Sequence, residues 1–293
     1  MVSVGPIGVG RRDVRAPRRF RSPRAGRIML WTGGALVALV VVLSVLAPLL
    51  TSWGPTEIDS GATLQGPGGG HPLGTDANGM DVYSRLLHAG RVDLGVALAA
   101  VAAAIAAGAV LGVVTGYFGG WFDTVTMRLL EIVQSFPTFI LALAVAALLG
   151  PGIVNLTIVV AVVSIPSYAR LIRAEVRTVR ELPYIDAART SGLRAASVLW
   201  RHVLPNSLTA VRVVAPLNVG WAMLSLAGLS FLGLGVPVPE PEWGAMISQG
   251  TTDIVAGRYW TSVPPGLALV VCVFGFSLLG EGLQERENQR RSR

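Results

Sequence analysis

The sequence predicts an all-α membrane protein with six transmembrane helices and both termini cytoplasmic, and three observations carry that expectation. The first is composition. Of 293 residues, 52% are hydrophobic and 14% charged, and the mean hydropathy is +0.59. Soluble domains carry roughly 25% charged residues, so this chain has too little charge to solvate its own surface. A disordered protein, a coiled coil and an ordinary soluble enzyme are excluded on the same ground. The second is length: apolar runs recur at about the 20 residues needed to cross a hydrocarbon core of about 30 Å. The third is the one-sided placement of positive charge. All 24 basic residues are Arg. With the N-terminus inside, 21 of them fall on inner segments and three, Arg85, Arg91 and Arg258, on outer ones, which is the asymmetry that sets orientation. Membrane orientation therefore accounts for the formal charge of +7 and the pI near 10.6, and no nucleic-acid partner is implied.

The elements follow in order. Residues 1–27 form an Arg-rich tail expected to lie in the cytoplasm, where Arg11–Arg27 either touches anionic head groups or serves only to set topology as a disordered tail. The first span, 28–50, is longer than a 7–15-residue signal-peptide core and lacks a following small-residue cleavage site, so it is expected to remain as an anchor. An extracytoplasmic loop covers 51–91. It is Gly/Pro-rich at first and then reads HPLGTDANGMDVYSRLLHAGR, with a short interfacial helix expected over Asp81 to His88. His71, Asp76, Asp81 and His88 match no zinc spacing. An Asx-turn at Asp76 and a helix N-cap at Asp81 explain these residue types without a metal.

A five-span core then occupies 92–283. The second span, about Val92 to Tyr117, carries small residues at a four-residue step: Ala100, Ala104, Gly108, Gly112 and Gly116. In lipid, such a stripe allows two helix backbones to approach closely. The third span, Met127 to Leu149, contains Glu131, Gln134 and Pro137. Glu131 stands three residues from Arg128, as an interfacial i, i+3 pair would, and Pro137 permits a kink. The fourth span runs from Ile153 to Leu171, the fifth from Ser207 to Leu234 and the sixth from Val263 to Leu283. A cytoplasmic tail, 284–293, follows.

Between the fourth and fifth spans lies the longest inner loop, 172–206. Pro183 suits the first helical turn, and Asp186 in that turn complements the helix dipole. Ala187 and Ala188 leave a flat face, and Gly192 can take the left-handed conformation that ends a helix. A second amphipathic helix is expected to follow, with Ala195, Val198, Leu199 and His202 inward, until Pro205 stops it.

Enzyme chemistry finds no footing. GLSFLGLG (Gly228 to Gly235) lacks the spacing of a nucleophile elbow, so Ser230 reads as a packing or backbone-bonded serine. No H-E-x-x-H or dinucleotide fingerprint occurs. A chain without Lys has no Walker lysine, and the single Cys272 closes no disulfide and builds no Cys-based metal site.

Asp186-Ala187-Ala188, then Gly192, then His202-Val203-Leu204-Pro205 resembles the EAA loop of binding-protein-dependent ABC importer permeases. HPLGTDANGMDVYSRLLHAGR resembles the outer loop of the C-type permease of the peptide/nickel branch. GYFGGWFDTVTMRLLEIVQSFPTFILALA (Gly116 to Ala144), LSFLGLGVPVPEPEWGAMI (Leu229 to Ile247) and FSLLGEGLQE (Phe276 to Glu285) match the same branch in the same order. The likeness covers roughly residues 70–285.

It implies a type I ABC importer permease fold in a bacterial cytoplasmic membrane, moving dipeptides or oligopeptides, with nickel, glutathione or another small solute as the alternative cargo. It implies a non-catalytic subunit without a cofactor of its own, ATP and Mg²⁺ being bound by partner ATPases. The implied partners are a homologous B-type permease, one or two cytoplasmic ATPase subunits and an extracytoplasmic solute-binding protein. Asp186, Ala187, Ala188, Gly192, His202, Leu204 and Pro205 are the implied ATPase-coupling residues. Asp76, Asp81, Arg85, Glu242 and Trp243 are implied to face the binding protein. The sequence departs from the family pattern in three places. Asp186 stands for the usual Glu, one methylene shorter; Met80 for an Arg common at that point; and Asp93 for a Ser.

Overall fold

The computed structural model describes residues 23–291; the Arg-rich stretch Arg11 to Arg21 and its expected lipid contact lie outside the described residues. Among the described residues, nine helices of eight residues or more organise the fold: α1 (Pro23–Val45), α2 (Val82–Phe118), α3 (Gly120–Ser135), α4 (Thr138–Leu149), α5 (Ile153–Val179), α6 (Pro183–Thr190), α7 (Thr209–Leu229), α8 (Trp243–Val255) and α9 (Val263–Arg291). Among the described residues β-pairing is confined to isolated bridges in the outer loop, Ile58 with Met80, Gly68 with His71 and Thr75 with Asp81. The helices containing α1, α2, α5, α7 and α9 are each long and apolar enough to cross a bilayer, and α3 with α4 passes the same test only as a pair bent by 90°.

The small-residue stripe of α2 is buried and lies on α5. A Cβ added at Gly108 would sit 2.6 Å from the Tyr168 Cβ, at Gly112 2.6 Å from the Ala169 carbonyl oxygen, and at Gly116 2.9 Å from the Arg173 carbonyl oxygen. The contacts rise together in residue number, so α2 and α5 run parallel. A parallel pair requires an odd number of crossings between its members, and the bent α3–α4 pair supplies it. The contacts of α9 run the other way. A Cβ at Gly33 of α1 would meet the Gly275 carbonyl oxygen at 2.7 Å, whereas one at Gly282 would meet Leu30 Cγ at 2.7 Å. Gly220 of α7 faces Val273 and Phe276, while Gly280 faces Leu217. Helices α1 and α7 are thus antiparallel to α9, and the fold closes with six crossings.

Four expectations need correction. The third span is not one helix. Proline has no N–H to donate and forces its predecessor out of the helical region, so Phe136 sits at φ −82°, ψ 132° and the helix restarts at Thr138. The short helix expected over Asp81 to His88 is the beginning of α2, which starts at Val82 instead of Val92 because Asp81 caps it, accepting from the Ser84 N–H at 2.6 Å. Pro205 does not stop the helical path. Leu199–Val203 forms a π-turn and Leu204–Ser207 a helical turn with Pro205 near its start, where a missing N–H is tolerated. The helices of the fourth and sixth spans run on beyond the expected limits, past Leu171 to Val179 and past Leu283 to Arg291.

Cys272, the single cysteine, is fully buried against Met223, its Sγ 3.6 Å from Met223 Sδ, so the chain offers an impermeant thiol reagent no target of its own. Asn78 and Ser191 are both exposed, at opposite ends of the crossing pattern. Asn78→Cys should be labelled by a membrane-impermeant maleimide on intact cells, and Ser191→Cys only after the membrane is opened. Labelling of Ser191→Cys on intact cells would overturn the six-crossing topology.

Candidate functional site

The inner face presents α6. Pro183 opens it without a side-chain cap, Asp186 lies in its first turn, and Arg189 in its last turn sits 3.5 Å from the Asp186 carboxylate. Backbone bonds from Ser191 N–H to Ala187 and from Gly192 N–H to Arg189 close the helix. Gly192 ends it at φ +80° with open space where a Cβ would project. Ile185 is its one fully buried side chain and Ala188 packs half-buried beside it, while Asp186, Ala187, Gly192 and their neighbours from Thr190 to Ala196 are exposed. After it, Val198, Leu199 and Val203 are buried, His202 and Leu204 half-buried, and Pro205 and Ala195 exposed. Asn206 ties the two segments, its amide 3.0 Å from the Tyr184 hydroxyl. The coupling residues expected from sequence therefore divide into an exposed helix and a half-buried stem.

A charge cluster that sequence reasoning missed fastens this inner end. Gly119 and Gly120, at φ +67° and +66°, turn the chain sharply after α2 and place Asp123 in the first turn of α3, where it is 4% exposed. Its Oδ1 accepts from Arg173 Nε at 2.5 Å, and its Oδ2 from Arg173 Nη2 at 2.7 Å and Arg177 Nη2 at 2.5 Å. Both arginines lie on α5 at an i, i+4 spacing, which puts them on one face. Arg180 Nη1 then donates to the carbonyl oxygens of Gly116 and Tyr117, and Arg189 of α6 lies over the Tyr117 ring at 5.5 Å. The ends of α2, α3 and α5 and the exposed helix are thus linked through four arginines. The available signal was the repeated Arg spacing opposite a lone Asp after a Gly-Gly turn.

The outer face behaves differently from the expectation. Asp76, Asp81, Arg85, Glu242 and Trp243 are between 0% and 9% exposed, so their side chains support the outer surface instead of forming it. Asp76 Oδ1 accepts from the N–H groups of Asn78 at 2.8 Å and Met80 at 2.9 Å, the Asx-turn its sequence context suggests. Arg85 reaches from α2 to the carbonyl oxygens of Pro239 at 2.8 Å and Pro55 at 3.1 Å. Its Nε stands 3.5 Å from Asp76 Oδ2, an ion pair without hydrogen-bond geometry, bordering a cavity of about 220 Å³. His71, stacked on Trp53, lies between Asp81 Oδ1 at 3.0 Å and Asp59 Oδ2 at 3.5 Å. His88 bonds the Ser84 carbonyl oxygen instead, so His71, Asp76, Asp81 and His88 do not converge on one point. The exposed residues above this frame are Ala77, Asn78 and 237–240.

Beneath it, Glu242 caps α8 by accepting from the N–H groups of Gly244 and Ala245, both at 2.8 Å. Asp93 accepts from the Trp243 N–H at 3.1 Å, and the Asp93 and Glu242 carboxyl groups touch. Trp243 Nε1 donates to the Leu86 carbonyl oxygen at 3.0 Å, completing the seam between α2 and α8. Elsewhere, Glu131 pairs with Arg128 at 3.0 Å in the open. Ser230 is buried with no bonded partner for its hydroxyl, against the backbone at Gly235.

An exposed helix on one side, a capped outer frame on the other and the crossings between them describe a multi-pass membrane protein. The chain belongs to the family described as binding-protein-dependent transport system inner membrane component, which matches residues 108–293. It is 38% identical over 256 residues to the dipeptide transport system permease protein DppC of Alkalihalophilus pseudofirmus, covering 86% of this chain and 84% of that one. It is 36% identical over 253 residues to the glutathione transport system permease protein GsiD of Pectobacterium atrosepticum, with coverages of 86% and 84%. A GsiD from Escherichia coli O1:K1 is 36% identical over 269 residues, with coverages of 92% and 87%.

Two carboxyl groups in contact repel whenever both are ionised. Asp93→Asn keeps an acceptor for the Trp243 N–H and gives Glu242 a donor, so its melting midpoint in detergent should equal or exceed that of the unmodified chain. Asp93→Leu strands the buried N–H, at a cost of about 1–3 kcal/mol, and should melt lower. A midpoint for Asp93→Asn as low as that of Asp93→Leu would refute the assignment.

Proposed function

We propose that this chain is the C-type permease of an ATP-driven importer that brings dipeptides and oligopeptides across a bacterial cytoplasmic membrane by alternating access. Its partners in this reading are a homologous B-type permease, one or two cytoplasmic ATPase subunits and a solute-binding protein on the outer side. The reading rests above all on the similarity to a dipeptide permease across 86% of the chain. The chain itself contributes no hydrolytic chemistry; ATP and Mg²⁺ belong to the ATPases. The domain limits given by the sequence, with a cytoplasmic tail before the first span and a coupling loop between the fourth and fifth, form part of the proposal.

In this mechanism α6 is the coupling helix. Asp186, Ala187, Ala188 and Gly192 enter a groove of one ATPase, and His202, Leu204 and Pro205 form the stem that carries its motion into α7. ATPase closure shifts α6, and the Asp123–Arg173–Arg177 cluster passes the shift to α2, α3 and α5 as one body. Two packed arrangements of the spans, open to one side or the other, then exchange. Outside, the binding protein rests on the surface that Asp76, Asp81, Arg85, Glu242 and Trp243 hold in shape.

The glutathione permeases among the relatives support a narrower second reading, since glutathione is itself a tripeptide. Uptake by the complete importer in liposomes separates the cases. Accumulation of labelled dipeptides and tripeptides, with slower uptake of glutathione and none of Ni²⁺, is expected. Accumulation of Ni²⁺ without peptide would remove the peptide assignment.

Gly192→Val tests coupling. Its φ of +80° is costly for a β-branched residue, about 1–2 kcal/mol, and the new side chain projects into the docking surface. The variant should insert and pair with the partner permease but lose ATPase copurification and substrate-stimulated hydrolysis. Asp186→Ala removes a dipole contact of about 0.3–1 kcal/mol and should show a milder loss. Full ATPase recovery with Gly192→Val would reduce the segment to a connecting loop.

A further inference from the structure

The break at Pro137 leaves a hollow. Because α4 swings away from the line of α3 by 90°, the facing side of α5 is uncovered, and a cavity of about 370 Å³ opens between the break, α5 and α7. Its lining is unusual for a membrane interior: Gln134, Thr138, Ser164, Ser167 and Asn218, with Trp221 beside them. Polar groups at such depth mark solute paths by default, and the volume lies within the range of small-ligand sites.

Arg170 is exposed one turn beyond Ser167 on α5, and it reaches the cavity through its hydrogen bond to Gln134, which lines it. It differs from five inner arginines that are held by carboxylates. Arg128, Arg173, Arg177, Arg180 and Arg189 each have a carboxylate within 4 Å. Among the described residues no carboxylate pairs with Arg170; its Nη1 donates to the neutral Oε1 of Gln134. The Gln134 amide in turn lies 3.3 Å from the Ser167 hydroxyl, which fixes the direction in which its oxygen points. Gln134 thus aims a guanidinium whose planar fork suits a carboxylate beside a polar, peptide-sized hollow.

Resting on the peptide-import reading, we infer that Arg170, aimed by Gln134, receives the free carboxylate of the peptide cargo as it passes this cavity. The amide and hydroxyl groups of the lining suit the donors and acceptors of a peptide backbone, and Val133, Phe136 and Val163 supply its apolar part. Trp221 offers a face to apolar side chains.

The same fork would also suit the phosphate of a lipid headgroup, and the experiment separates the two sources. The complete importer, with both permeases, the ATPases and the binding protein, is reconstituted in liposomes of zwitterionic lipid alone and of zwitterionic lipid with one-third anionic lipid. Uptake is followed for a labelled tripeptide and for its C-terminal amide. Arg170→Gln should slow uptake of the free acid about tenfold in both liposome types and leave the slow uptake of the amide unchanged. Arg170→Lys should recover most of that loss. Gln134→Ala, which keeps the cation but not its aim, should slow the free acid about threefold, and it serves as the test if Arg170→Gln fails to assemble. Free-acid uptake at the unmodified rate in Arg170→Gln, or in Gln134→Ala where that is the test, overturns the inference and leaves peptide import standing. Equal losses for acid and amide, or a loss confined to anionic liposomes, overturn it as well, the latter assigning Arg170 to lipid. An unmodified importer that takes up no peptide removes both the inference and the reading beneath it.

Discussion

The close parallel packing of α2 on α5 governs the rest of the structure. Glycines at 108, 112 and 116 bring one backbone to within a side-chain carbon of the other, an approach that in lipid must come from shape, since apolar surface gains little by leaving hydrocarbon for protein. Once the two helices are parallel, the chain between them has to cross once. That crossing is assigned to a segment with a proline in its middle, and it breaks. The broken crossing then uncovers the polar face of α5. Tight packing in one place and an open hollow in another are consequences of one arrangement.

The two faces are built on opposite principles. Outside, the polar side chains are buried and bonded mainly to backbone: Asp76 and Asp81 accept backbone N–H groups, Arg85 holds distant carbonyl oxygens, and Glu242 caps α8. The outer surface is a stiff frame. Inside, α6 rests on one buried isoleucine and exposes nearly everything else. A stiff frame suits a partner that must be met in a fixed orientation, and a lightly anchored helix suits one that must move it.

Much of this was legible in the sequence because membrane burial leaves coarse signals. Apolar run lengths, the Arg asymmetry and the Ala/Gly stripe gave crossings, orientation and the α2 contact face. Pro183, Asp186 and Gly192 marked α6 because capping and left-handed conformations are local properties. What escaped was what depends on distant partners. That Asp123 meets Arg173 and Arg177, fifty residues away, or that Asp93 meets Glu242, follows from helix packing that no local pattern records. Arg85 and Trp243 are implied by the family resemblance to face the binding protein; their burial is a tertiary fact. The 90° break was half visible, since Pro137 announces a kink and the neighbours decide its angle.

The length of α2 carries a mechanical consequence. Its 37 residues extend about 55 Å at 1.5 Å per residue, well beyond a hydrocarbon core of about 30 Å. One end starts at Asp81 inside the outer frame, and the other ends at Tyr117 beneath Arg189 of α6. An unbroken rod of this kind, joined to α5 by its glycine contacts, carries a tilt imposed at one end to the other as part of one body. Events on the two sides of the membrane are then two readings of one angle, and no relay of side-chain rearrangements is needed to connect them.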